Sequence, residues 1–309
     1  MKRYAVAVIG ILLSLGVVAT PASAAVFVAG ADNQVFFVNF ENLYDSTGKW
    51  LNPFTAPVPG QILSGIIGLN GLRVNNVDSD FDDTTFQLSG VFAQEIVSID
   101  AMTGTLTLGV PTVTTYYKDL DLSGGITAGD DVYSTGLAPG SEMFAFYLQQ
   151  SPDPVTTLES DGTMLDDVTK ATDGSLFLTL GFTDPGAGVD PGYAFTALFP
   201  PPLFPAGLSF AGLNLIQNNS GFTFAGLDNP FENVFNGTLQ QVVYQTSFNL
   251  NPPGLNNPNP DPGTSPWEFI SNDPALIHPD TVIPEPSSMW LLGMGLGSFG
   301  VFRRKKFLV

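Results

Sequence analysis

The stretch TTFQLSGVFAQEIVSI, residues 84–99, decides the fold class. Phe86 and Leu88 alternate with Gln87 and Ser89, which is typical of a β-strand with one buried face. Similar short segments, bounded by Gly, Pro, Asn or Asp, occur before and after it: ILSGIIGL, TLTLGV, MFAFYL, SLFLTLGF, YAFTALF, LSFAGLNLI and QQVVYQTSFNL. Many short strands without helical crossovers predict an all-β fold, mainly an antiparallel β-sandwich of jelly-roll type.

One segment departs from this pattern. In VTTLESDGTMLDDVTKATDG, residues 155–174, four apolar residues can cover one face of a helix: Leu158, Met164, Leu165 and Val168. Gly162 argues against a single unbroken helix, so we expect one or two short helices here. Further on, the proline-rich segment 251–266 is either a stalk or, as we prefer, a surface loop. The loop would lead to a last strand whose start carries Trp267, Phe269 and Ile270.

The first residues predict export. Two basic residues precede an apolar run, and small residues follow it at Ala22, Ala24 and Ala25. This order is typical of a secretory signal peptide, here residues 1–24, that is cleaved before Ala25. The alternative is a retained N-terminal membrane anchor. Residues 25–282 then form the exported β-rich domain.

The last residues, 283–309, predict a second membrane segment. Residues 287–302 carry no charge and precede a basic block: Arg303, Arg304, Lys305 and Lys306. As a helix this run would be about 24 Å long, against about 30 Å of bilayer hydrocarbon, so it would cross the membrane only marginally. Basic residues beside apolar segments mark the cytoplasmic side, which places the domain between the two segments outside the cytoplasm.

The charge of the domain excludes several functions. The chain has a formal net charge of -19, and its acidic residues all lie in the domain except Glu285. The domain carries few basic residues: Lys49, Arg73, Lys118 and Lys170. Such a surface repels nucleic acid. The chain has no cysteine, which excludes disulfides, thiolate catalysis and Cys-ligated metals.

The tail also carries a family resemblance. Pro284, Glu285 and Pro286, the apolar run and the basic block occur in the order of the C-terminal sorting signal of PEP-CTERM proteins of Gram-negative bacteria, which the tail resembles. The resemblance implies recognition in the membrane by an exosortase, a transpeptidase-like enzyme, and removal of the tail near Pro-Glu-Pro. It also implies a place at the cell surface or in the extracellular matrix, in exopolysaccharide, biofilm or floc. An ordinary single-pass anchor that is never processed is the alternative.

The sharpest internal pattern is DLDLSGGITAGD, residues 119–130. Numbered as a calcium-binding loop, it offers five tentative Ca²⁺ ligands, the last through a backbone carbonyl: Asp119, Asp121, Ser123, Asp130 and Gly125. Gly124 would permit the tight turn that such a loop needs. The loop resembles those of dockerin modules, although its flanks do not read as helices. An acidic, glycine-rich hairpin turn is the alternative, and calcium is the only cofactor that the sequence suggests.

Catalytic patterns are weak, and we expect no catalytic residue. His278 is the only histidine, and no nucleophile-elbow motif occurs. The acidic pairs Asp82–Asp83 and Asp166–Asp167 fit solvated loops better than the two carboxylates of a glycosidase. The sequence therefore predicts a non-enzymatic surface or matrix protein, with exosortase and extracellular polysaccharide as partners. The alternatives are a calcium-assisted carbohydrate-binding module and, third, a polysaccharide-active enzyme.

Overall fold

The computed structural model describes residues 27–51, 57–78, 86–100, 105–150, 162–181, 195–198, 206–224, 242–249 and 265–282. The predicted signal peptide with its cleavage site, the sorting tail and the Asp82–Asp83 pair lie outside the described residues, as does most of the proline-rich segment. The chain divides into two compact units, Val28–Val282 and the two chain ends together. The elements below belong to the first unit.

The described elements are mainly strands. They are β1 (Asn33–Tyr44), β2 (Ile62–Val74), β3 (Val77–Asp78), β4 (Phe86–Asp100), β5 (Thr105–Gly109), β6 (Thr115–Lys118), β7 (Asp131–Ser134), β8 (Phe144–Gln150), α1 (Met164–Thr172), β9 (Ser175–Gly181), β10 (Phe195–Leu198), β11 (Ala206–Asn218), β12 (Phe222–Phe224), β13 (Val242–Asn249), β14 (Phe269–Ile277) and β15 (Pro279–Val282). The predicted all-β class and the predicted helix are confirmed. No described helix is long and apolar enough to cross a membrane.

The strands form one antiparallel sheet of eleven strands and two small sheets, β6–β7 and β12–β15. In the large sheet, the pairings run from β1 through β2, β4, β8, β9, β11, β13 and β14 back to β1. The strand pair β5–β10 also joins β4 to β11. The sheet is therefore closed on itself. The sequence predicted a sandwich of two separate sheets. In the structure, hydrogen-bonded pairing joins these strands in a single sheet.

Strand β4 takes part in the closure because it pairs with β2 along one edge and with β8 along the other, on both sides at once over residues 89–92. Its pairing with β2 runs from Ile62↔Glu95 to Gly68↔Ser89, while β8 pairs along its other edge. Gly90 lies at a close approach of β4 and β8, since a Cβ at this position would collide with the carbonyl oxygen of Ala145. A side chain there would force β4 and β8 apart.

The interior of the closed sheet is aromatic. The rings of Phe37 on β1 and Phe146 on β8 lie 5.1 Å apart, although these strands are not neighbours. Phe92 on β4 and Phe144 on β8 stack with a centroid distance of 5.9 Å. Contact between strands that do not pair shows that these rings fill the space that the sheet encloses.

A second core lies on the outer face of the sheet. Three elements cover this face: helix α1, the β6–β7 hairpin and the segment before β14. They pack on Tyr44 of β1 with buried side chains of their own: Tyr116, Tyr133, Met164, Val168 and Trp267. The ring of Tyr133 lies 5.4 Å from Tyr116 and 5.6 Å from Trp267. These aromatic side chains are therefore part of the core and are not open to solvent.

Helix α1 corrects two expectations. Met164, Val168 and Ala171 face the core, whereas Leu165, predicted on the apolar face, is exposed because the helix turns it to the opposite side. The expectation of a solvated loop at Asp166–Asp167 is wrong. Asp167 is buried in the helix and accepts a hydrogen bond from Trp267 Nε1 at 2.8 Å.

The predicted last strand is present as β14, which pairs with β1 on one side and with β13 on the other. It contains Pro274, which has no N–H to donate. The register with β13 omits Asp273 and Pro274, so the missing donor falls where the two strands do not pair. Just before β14, the backbone N–H of Glu268 donates a hydrogen bond to Asn42 Oδ1 of β1 at 2.8 Å. This bond positions the chain at the start of β14.

Candidate functional site

The candidate site is the loop between β6 and β7, residues 119–130, called the acidic loop below. The two strands pair from Thr115↔Ser134 to Lys118↔Asp131, so the loop begins and ends at one point. Within it, Gly124 has a φ of +85°, the left-handed conformation expected of the glycine at the tight turn. The predicted loop and its turn are thus present.

Three of the predicted ligands meet. Asp119, Asp121 and Asp130 each offer a carboxylate oxygen, and these oxygens lie within 4.8 Å of one another. The other two predicted ligands contact each other, because the Ser123 hydroxyl donates to the Gly125 carbonyl oxygen at 2.9 Å. The spacing in the sequence therefore predicted the carboxylate cluster. The structure leaves the calcium assignment itself a prediction.

Backbone N–H groups of the loop point at the carboxylates. Asp119 accepts hydrogen bonds from the amides of Ser123 at 3.0 Å and Gly124 at 2.9 Å. Asp130 accepts from the amides of Leu120 at 2.8 Å and Thr127 at 2.7 Å. These bonds hold the loop in shape, as the alternative reading of an acidic hairpin turn also requires.

A lysine from outside the loop contacts the cluster. Lys49 Nζ lies 2.5 Å from Asp119 Oδ2, and the side chains are 33% and 2% exposed, respectively. Lys49 follows β1 and reaches the loop because it bridges to Tyr117 of β6. Sequence reasoning missed this contact. The available signal was that Lys49 is one of the few basic residues in an acidic domain.

These contacts favour the ionised form of two of the carboxylates, Asp119 and Asp130. The hydrogen bond from Lys49, followed by those from the Gly124 and Ser123 amides, lowers the pKa of Asp119 to about 2. Hydrogen bonds from the amides of Thr127 and Leu120 lower the pKa of Asp130. Burial and the like charge of Asp119 act in the other direction but do not outweigh them. An ionised carboxylate cluster can hold a divalent cation of the Ca²⁺ type. Lys49 would have to leave Asp119 Oδ2 for the cation to bind there.

The acidic loop also presents aliphatic side chains to solvent. Leu120, Leu122 and Ile126 are exposed, Leu122 by 87%. Leu122 has a φ of +58°, which a branched side chain adopts at a cost. Leu165, also exposed, lies close by, since its amide donates to Asp131 Oδ1 at the end of the loop. Exposed aliphatic groups beside carboxylates are suited to contact with another molecule.

Sugar-stacking aromatic surfaces are not part of this region as far as it is described. The large hydrophobic side chains that the described residues expose are all aliphatic. Trp50, near the loop, is half-buried, and Lys118 Nζ lies 4.7 Å from its ring centroid. Because the ammonium group covers the ring, a sugar would have to displace Lys118 to stack on it.

The chain exit, residues 278–282, lies at the other end of β1. His278 Nδ1 is 2.8 Å from Asp32 Oδ1, and the Pro279 carbonyl oxygen accepts a hydrogen bond from the Gly30 amide at 2.6 Å. β1 pairs with β14 through Asn33↔Ile277 at this end. The acidic loop lies beyond Tyr44 at the opposite end of β1, a strand of 12 residues.

The residues that follow this exit carry a known sorting motif. Residues 282–306 match the family model described as the PEP-CTERM protein-sorting motif. The chain therefore carries the C-terminal sorting domain of exosortase substrates, as the tail predicted, and is an exported protein anchored at its C-terminus before processing. No curated protein and no solved structure shows significant similarity to the chain.

Proposed function

We propose that this protein is a non-enzymatic component of the cell surface or extracellular matrix, with a structural or adhesive role in exopolysaccharide, biofilm or floc. The sorting motif at residues 282–306 is the observation that carries the proposal. A single histidine and the lack of cysteine support a role other than catalysis. Exosortase acts on the tail, and extracellular polysaccharide is the proposed surrounding of the mature domain.

The placement of the acidic loop supports an adhesive role. The loop and the chain exit lie at opposite ends of β1. A domain held at its exit would present the loop, with its exposed Leu120, Leu122 and Ile126, away from the point of attachment. Contact with other matrix components would then occur through this end of the domain.

Mass spectrometry of the exported protein from its native host tests the sorting step. We expect a mature chain that begins at Ala25 and lacks the residues from near Pro286 onward. An exported form that retains Arg303 to Val309 would contradict processing. A variant with the basic block Arg303–Lys306 replaced by Ser should accumulate with its tail intact.

Retention of the protein on native exopolysaccharide tests the adhesive role. We expect the triple variant Leu120→Ser, Leu122→Ser, Ile126→Ser to be washed off at least tenfold more readily than the wild type. The matched control replaces exposed aliphatic residues elsewhere, Val77→Ser with Val97→Ser. Equal loss from both variants would show that retention does not depend on the acidic loop.

A calcium-assisted binding module is the second candidate, and the convergence of three carboxylates within 4.8 Å favours it. If the loop binds calcium, Lys49→Ala should raise the calcium affinity, because the ammonium group no longer competes at Asp119. Asp119→Ala with Asp130→Ala should abolish binding. Titration calorimetry measures all three proteins, with magnesium at equal ionic strength as the control. Affinity unchanged by any of these substitutions would place the ion elsewhere.

A glycan array with and without calcium separates the two candidates. Calcium-dependent binding of a defined glycan that is lost in the Asp119→Ala, Asp130→Ala variant would favour the binding module. Retention on the matrix without calcium would favour the structural role. Turnover of purified exopolysaccharide, which we do not expect, would identify an enzyme.

A further inference from the structure

The family match and the folded domain overlap in the sequence. The sorting motif begins at Val282, which is also the last residue of β15. β15 pairs with β12 through Phe222↔Val282, Thr223↔Thr281 and Phe224↔Pro279. No residue therefore separates the sorting motif from the paired strand. Pro284 follows Val282 by two residues, a span of at most about 7 Å.

An enzyme that cuts a peptide binds it in an extended form over several residues, with its backbone free of other partners. For a cut near Pro284–Glu285–Pro286, the residues on the N-terminal side include those of β15, which ends at Val282. Their backbone is already engaged with β12, and the Pro279 carbonyl oxygen with Gly30. The strand and the enzyme thus require the same residues.

The pairing between β12 and β15 is weak enough to break locally. β12 and β15 form a two-stranded sheet separate from the large one, and two strands alone are only marginally stable. Pro279 at the start of β15 has no N–H to donate, and the register shifts between Thr223 and Phe224. Short terminal elements of this kind open locally at much lower free energy than the core.

The partner strand, in contrast, is well anchored. The Asn218 amide side chain donates to the Phe222 carbonyl oxygen at 2.7 Å, and the Phe222 amide donates to the Ser220 hydroxyl at 3.2 Å. Gly221 has a φ of +77° in the turn that leads into β12. Phe222 itself is buried. β15 can therefore leave and return while β12 stays in place.

We propose that β15 is a releasable strap: it must detach from β12 before exosortase can process the tail, so the β12–β15 pairing controls the processing rate. This inference rests on the proposed processing of the tail. When opening and closing are faster than cleavage, the rate follows the fraction of molecules in which the strap is open. Processing of the folded protein is then slower than that of an equivalent chain with a free exit.

A disulfide across the strap tests the proposal in the full chain in its native host. Thr223→Cys with Thr281→Cys places cysteines at paired positions, where antiparallel strands bring Cα atoms within disulfide range. The chain has no other cysteine to mispair. The matched control is Thr115→Cys with Ser134→Cys, which cross-links the β6–β7 hairpin at a paired position far from the exit.

Pulse–chase labelling measures loss of the tail in each variant. We expect the Thr223–Thr281 cross-linked form to be processed at least tenfold more slowly than the wild type, with recovery on reduction. The β6–β7 cross-linked form should be processed at the wild-type rate. Processing of the Thr223–Thr281 cross-linked form at the wild-type rate would overturn the strap. Failure of the wild type to lose its tail would instead overturn the proposed sorting, and the strap with it.

A second variant does not depend on disulfide formation. Ten Gly and Ser residues inserted after Val282 move the motif away from β15, so the enzyme no longer needs the strap to open. We expect the insertion to accelerate processing severalfold and to restore processing of the cross-linked form. An unchanged rate in the insertion variant would also overturn the proposal.

Discussion

The acidic loop and the chain exit lie at opposite ends of β1 and are held in different ways. The loop is fixed by hydrogen bonds within itself and by Lys49, and its strands β6 and β7 pack into the buried cluster of Tyr44, Tyr116 and Tyr133. The exit is held by a short strand in a two-stranded sheet. Both ends use a two-stranded sheet, so the difference lies in packing: β6 and β7 are tied to a buried aromatic cluster, whereas β15, next to the proposed processing site, is short and terminal.

The largest expected effect is at the loop end. Tyr133→Ala should lower the free energy of unfolding by about 3–5 kcal/mol, because it empties a fully buried position between Tyr44, Tyr116 and Trp267. Urea denaturation of the mature protein measures this. Tyr133→Phe is the control and should cost about 1 kcal/mol, since it keeps the ring and removes only the hydroxyl, which donates to Ser64 and is also hydrogen-bonded to Tyr44. A loss below 1 kcal/mol for Tyr133→Ala would mean that the loop end is no more firmly held than the exit.

Hydrogen exchange compares the two ends directly. The backbone amides of Asp280 to Val282 should exchange at least tenfold faster than those of Tyr116 and Tyr117, because β15 opens locally and the β6–β7 hairpin does not. Native-state exchange read by NMR or mass spectrometry gives both rates in one sample. Equal protection at the two ends would contradict the distinction between them.

A moderate effect is expected where the acidic loop meets the helix. Asp131 Oδ2 accepts a hydrogen bond from the Met164 amide at 2.8 Å and so caps the N-terminus of α1. Asp131→Ala should lower the free energy of unfolding by about 1 kcal/mol, as for other lost helix caps. Thr163→Ala, which removes the capping side chain that accepts from the Asp166 amide, is the comparison. If Asp131→Ala has no effect, the loop and the helix are not coupled.

The smallest effect is a pH dependence at the loop. The folded-state pKa of Asp119 is about 2, below its value in the unfolded chain of about 3.9. The ionised carboxylate therefore stabilises the fold above about pH 4, and this stabilisation is lost as the pH falls to about 2. The difference in urea midpoint between the wild type and Asp119→Asn should be constant from pH 7 to 5 and shrink below pH 4. A difference that persists at pH 2 would assign it to a cause other than ionisation.

Much of the sheet could be predicted from the sequence, because β2, β4, β8 and β9 are apolar segments between turn residues. Strand β1 was not predicted. Its buried positions include polar residues: Asn33, Asn39, Glu41 and Asn42. Asn42, for example, donates to the Pro266 carbonyl oxygen and accepts from the Glu268 amide. Such partners lie more than two hundred positions away, so local pattern gives no sign of them.

The candidate site shows the same division. The spacing of Asp119, Asp121 and Asp130 follows from a local turn, and the carboxylates do converge. The contact with Lys49 depends on the bridge between the end of β1 and β6, which is a tertiary feature. The burial of Asp167 likewise depends on Trp267, one hundred positions later. Local chemistry was predictable, and its long-range partners were not.

Closure of the sheet has a consequence for contacts between copies of the domain. Each strand of the closed ring has a hydrogen-bonded neighbour on both sides. Open sheet edges recruit strands from other copies and so lead to aggregation. Among the described residues, each ring strand is paired on both sides for part of its length, so little of the ring is open to strands from other copies. Pairing between copies through the described part of the large sheet would have to use a segment with a free side, such as β3, which pairs with β2 alone.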